Sequence, residues 1–197
     1  AYRDQGGRLI GPDGVPAHSW MPSLLSRGYQ LLHPKGYAAG KLTVPRREWD
    51  SHSWSSAYNR SDLQNAIQDI LTALSSAEEA YPDKPITVIG VGEMGLPAAV
   101  AAALYGKAQS VVVDLDEGDV SYDRELLDLM RIGSIRRVGD FRTVALLLLN
   151  HNLTLFNAGA GLDPSWLQER ARQLGLEGNL NLRLTEKQIS FDSLVAR

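Results

Sequence analysis

The residues of this chain best placed to do chemistry are Gly90-Val-Gly92-Glu93-Met-Gly95 and the aspartate Asp114. Ile86-Thr-Val-Ile89 leads into the glycines as a β-branched run, which reads as a strand, and the alanine-rich segment Leu96 to Leu104 reads as a helix lying close to a sheet. A strand, a tight turn and a helix N-terminus in that order support two chemistries. As G-x-G-x-x-G, the turn can receive a pyrophosphate on its backbone amides, with Asp114, nineteen residues beyond Gly95, accepting from a ribose hydroxyl. A turn of the same shape can also lift one side chain out at its apex as a nucleophile. The residue at that apex is Gly92, which has nothing to attack with. A third reading needs no ligand: the glycines simply let helix and strand approach closely.

Other constellations are weaker. Asp114-Leu-Asp116-Glu-Gly118-Asp119, with Glu125 eleven residues after Asp114, approximates the spacing of a calcium loop. Its glycine is displaced by one position and a strand precedes it, so it reads as a solvated acidic loop and no metal is expected. The segment Pro34 to Asn59 carries Trp49, Trp54, His52, Lys35, Lys41, Arg46 and Arg47, in the manner of a binding loop or lid, though packed tryptophans pinning a loop explain it equally and are the preferred reading. Cysteine is absent, which removes disulfides, thiolate catalysis and cysteine metal sites together.

Lys+Arg number 20 against Asp+Glu 23, so no basic field attracts nucleic acid or anionic lipid. The longest apolar run, Val144 to Leu149, is far short of the roughly twenty residues of a membrane span. No signal peptide opens the chain, but it starts at Ala1 without a methionine, which is compatible with processing and leaves the compartment open.

The elements that must position the turn follow from periodicity. The length fits one domain over 1–197, with a Gly-, Pro- and Ser-rich part over 1–60 and a regular α/β part over 61–197. Met21 to Gly28 predicts a short helix closed by glycine, and Tyr29 to His33 the strand it delivers. Ser61-Asp-Leu-Gln64 is a capping box, and Leu63, Ala66, Ile67, Ile70, Leu71 and Leu74 form the sheet-packing stripe of a helix running to about Ala80. Ser110 to Leu115 is a buried strand, Asp123 to Met130 a short helix, and Asp140 the cap of a helix from Phe141 to Leu149. Leu153 to Phe156 is a strand, Asp163-Pro164 opens a helix over Ser165 to Leu174 that stops at Gly175, Leu180 to Leu184 is a last strand, and the tail from Lys187 is a terminal helical turn. Alternating strands and helices imply a three-layer α/β/α domain with a mostly parallel sheet and helices on both faces. Ligands of such sheets sit beyond the C-terminal strand ends, here His33 to Lys35, Gly90 to Met94, Asp114 to Asp119, Asn157 to Asp163, and Thr185 to Gln188.

Several of these pieces, in this order, resemble an α/β-hydrolase of the esterase and dipeptidyl-peptidase-like kind. They are Leu24 to Pro34, Tyr58-Asn-Arg-Ser-Asp-Leu63, the elbow-like Val88 to Gly95, Gly139-Asp140-Phe141, and Leu155-Phe-Asn-Ala-Gly159 before Asp163. The resemblance implies a nucleophile at the position of Gly92, followed by Glu93, an acid after the penultimate strand, where Asp163 stands, and a histidine after the last strand. No histidine follows Leu184; His18, His33, His52 and His151 all come earlier. A hydroxyl nucleophile and an imidazole must both exist and touch, so the resemblance implies a degenerate, non-catalytic member whose turn binds a ligand. Its partner is then a small ligand or a protein, including a second copy of the chain or a neighbouring catalytic domain, and no cofactor is expected.

Two alternatives stay open. A dinucleotide-binding domain would use Gly90, Gly92, Gly95 and Asp114, but its fingerprint starts late in the chain and Glu93 sets a carboxylate beside the pyrophosphate position. An esterase with an unconventional nucleophile would draw a serine from Ser51 to Ser56, or from elsewhere in the chain, together with His52.

Overall fold

The computed structural model describes residues 2–3, 9–10, 21–33, 62–118, 139–158 and 163–186. It divides into two compact units, Ala1–Ser51 with Ile189–Arg197, and His52–Gln188. In the first unit β1 (Tyr2–Arg3) pairs antiparallel with β2 (Leu9–Ile10), and α1 (Met21–Ser26) ends at Gly28, whose φ of +85° closes the helix. Tyr29 to His33 is not a strand. Its alternation of apolar residues finds no partner ladder among the described residues, and Tyr29 and Leu32 are exposed. An extended segment without a hydrogen-bonded neighbour has nothing to hold it as a strand.

The second unit carries the site. Helix α2 (Asp62–Ala80) precedes β3 (Thr87–Gly90), a single 3-10 turn (Gly92–Met94), α3 (Gly95–Tyr105) and β4 (Ser110–Asp114). Then come α4 (Asp140–Leu148), β5 (Asn152–Phe156), α5 (Ser165–Leu174), a 3-10 turn (Glu177–Asn179) and β6 (Leu180–Arg183). The four strands are all parallel and lie in chain order, β3-β4-β5-β6, with Gly90 opposite Val113, Asp114 opposite Phe156, and Phe156 opposite Arg183. Every C-terminal strand end therefore reaches the same edge of the sheet. The fold is mixed α/β with a parallel sheet, as the alternation of elements predicts.

Period-two alternation sorts the strand side chains. Val88, Val111, Val113, Leu153 and Leu155 join one core with the helices, while Val112, Thr154 and Phe156, between them in sequence, are buried outside that cluster. Helix α3 packs against β3, β4, α2 and α4, and α4 packs against α5. It is buried all round from Pro97 to Ala102, which its short side chains permit, and Pro97 is tolerated because it falls in the first turn. The apolar stripe of α2 accordingly meets α3 as its main partner rather than the sheet. Residues 123–130 and the tail from 187 lie outside the described residues.

The closeness of α3 to the sheet is set by glycine. A Cβ on Gly95 would stand 1.7 Å from the backbone oxygen of Asp114, and one on Gly90 would stand 2.6 Å from the Cβ of Ala98. At Gly92 a Cβ would meet nothing within 4 Å, and the constraint is instead its φ of +55°. Gly95→Ala is therefore expected to lower the unfolding free energy by about 3 kcal/mol or more, because rigid backbone must move, whereas Gly92→Ala costs only the ~1 kcal/mol of a left-handed alanine. Urea denaturation of both variants checks the order; equal losses would contradict it.

Candidate functional site

The site is assembled where β3, β4 and β5 end. Val91 is extended, with φ −125° and ψ 138°, and Gly92 then enters the left-handed region, so the chain leaves the strand sharply and starts the 3-10 turn and α3. Met94 N donates to Val91 O at 3.2 Å and Gly95 N to Gly92 O, which ties the turn to itself. Glu93 and Met94 project from it into solvent.

Asp114, at the end of the neighbouring strand, is buried. Its Oδ2 accepts from Gly92 N at 2.9 Å, and its Oδ1 accepts from Asp116 N at 2.8 Å and from Asn157 Nδ2 at 2.7 Å. A carboxylate so surrounded is stabilised in place, since hydrogen bonds to a charged acceptor are stronger than neutral ones. The same residue's backbone oxygen is the one that lies against Gly95. Asp114 thus contacts the turn twice, through main chain and side chain.

The loops beyond β4 and β5 are knotted to one another as well. Leu115 N donates to Phe156 O at 3.0 Å, Glu117 N to Asn157 O at 2.9 Å, and Ala158 N to Leu184 O at 2.9 Å. Asp116, Glu117 and Asn157 all have φ near +50°, a conformation that costs a non-glycine residue free energy and is least costly for Asn and Asp. Partial loss of solvation, and then the charges of Asp114, Glu93 and Glu117, hold the Asp116 carboxyl above the ordinary carboxylate range.

The predicted site residues separate under this geometry. Gly90, Gly92, Glu93, Gly95 and Asp114 are together. Asp163 stands just ahead of α5, exposed, with Oδ1 accepting from Ser165 N at 2.9 Å and Oδ2 from Ser165 Oγ at 2.8 Å; these bonds hold its carboxyl below the ordinary range. That is the work of a helix cap. Asp140 has a similar role in α4, its Oδ1 accepting from Arg142 N at 2.8 Å. His151 immediately precedes β5 and its Nδ1 lies 2.5 Å from Ala108 O, so it sits at the N-terminal edge of the sheet, opposite Gly92. His33 is exposed in the first unit. His18, His52, the serines from Ser51 to Ser56, the aromatic segment 34–59, Asp119 and Glu125 lie outside the described residues. Among the described residues no group of three His, Asp or Glu side chains is arranged to hold a metal ion, and no helix is long and apolar enough to cross a membrane.

Asn157 falls in the stretch from Asn157 to Asp163 that the sequence marks as a strand-end loop, with no motif of its own. Its signal was available: an asparagine directly after a buried strand tolerates the left-handed backbone and carries an amide able to reach a carboxylate.

The site and fold together define an α/β unit whose glycine turn is closed by an internal carboxylate. Comparison of the chain with protein-family models, with curated proteins and with solved structures gives no match.

Asp114→Ala leaves Gly92 N–H, Asp116 N–H and the Asn157 amide without their acceptor, and is expected to cost about 3 kcal/mol by denaturant unfolding. A loss below about 1 kcal/mol would mean that water replaces the carboxylate freely. Asp116 gives a pH signature. With its folded pKa raised, its ionisation opposes folding, so its own contribution to stability is greatest below the unfolded value and is lost as pH rises through the folded value. Glu78, Asp163 and Glu169, whose pKa values are lowered, act oppositely and at lower pH. Asp116→Asn is expected to flatten the decline just above the ordinary carboxylate range; an unchanged profile of melting temperature against pH would contradict the assignment.

Proposed function

We propose that this chain is a degenerate α/β-hydrolase-fold domain, non-catalytic, whose C-terminal sheet edge binds a small ligand or a protein partner. The observation that carries the reading is Gly92. It occupies the apex of a strand-to-helix turn with φ +55°, and the direction in which a side chain would project is empty to 4 Å. A nucleophile elbow needs such a strained, outward-facing apex, and this one carries no hydroxyl. The order of strands supports the same reading: elbow strand β3, then β4, then β5 followed by the segment ending in Asp163, then β6 followed by Thr185, all opening on one edge. The burial of Val112, Thr154 and Phe156 on the sheet face away from the helical core supports a covered second face and hence three layers. A carbonyl or carboxylate would be received by backbone donors of this helix start other than Gly92, Met94 and Gly95, whose amides bond Asp114, Val91 and Gly92.

One observation favours a dinucleotide-binding domain instead. Asp114 ends the strand directly beside β3 in parallel pairing, as the fingerprint requires. Against it, Asp114 is engaged with Gly92, Asp116 and Asn157, and among the described residues the strands show no reversal of order at which a switch-point crevice would open.

Intact mass after incubation with a serine-reactive fluorophosphonate, with turnover of a short-chain activated ester alongside, tests the first reading. No adduct and no turnover above a denatured control are expected. A stoichiometric adduct with turnover would overturn it and point to an unconventional nucleophile. The second reading is tested by titrating NADH and following its fluorescence; no saturable change is expected, and one abolished by Gly92→Ala would establish the dinucleotide site.

A further inference from the structure

We draw no further inference here: the strongest candidate, the acid-rich knot of Glu93, Asp114, Asp116 and Glu117 at the C-terminal edge of the β3–β6 sheet, belongs to the site already described, and no buried unpartnered polar side chain among the described residues points from it to a ligand.

Discussion

The carboxylate of Asp114 receives hydrogen bonds from the ends of three successive strands: Gly92 after β3, Asp116 after β4 itself, and Asn157 after β5. Parallel pairing brings these ends to one edge, where backbone bonds tie the loops after β4 and β5 together and the carboxylate joins the turn after β3 to them. These three donors satisfy the buried carboxylate beside the left-handed residues Asp116, Glu117 and Asn157, each of which costs roughly 1 to 2 kcal/mol. The strain and the hydrogen bonds occupy the same place.

The turn depends on the same residue through a second contact. Gly95 rests on the backbone oxygen of Asp114, and this approach is what allows α3 to start so close to the sheet. Close approach in turn explains the alanine run. A helix buried from Pro97 to Ala102, touching two strands and two other helices, has no room for longer side chains. The glycines at 90 and 95 are therefore accounted for by packing, and only Gly92 is left facing open space. Gly92 is kept not by crowding but by its φ of +55°, a backbone conformation that favours glycine.

Much of this was legible in the sequence. The period of α2, the β-branched runs of β3 and β4, the Asp163-Pro164 start of α5 and its glycine stop are local signals, and the structure follows them to within a residue. What failed was non-local. Tyr29 to His33 alternates like a strand, but alternation says nothing about whether a neighbour exists to pair with it. The sequence marks Asp114 as the end of the next apolar run, yet spacing cannot tell a carboxylate held for a ribose from one folded back onto Gly92. The role of Asn157 required the register of β4 against β5, which no single segment encodes.

Amide hydrogen exchange at Gly92, resolved by NMR in the native chain and in Asp114→Asn, tests whether Asp114 holds Gly92. The Gly92 amide is expected to be protected in the native chain and to lose protection in the variant, while amides inside β4 such as Val112 stay protected. A Gly92 amide that exchanges as freely in the native chain as in the variant would contradict it.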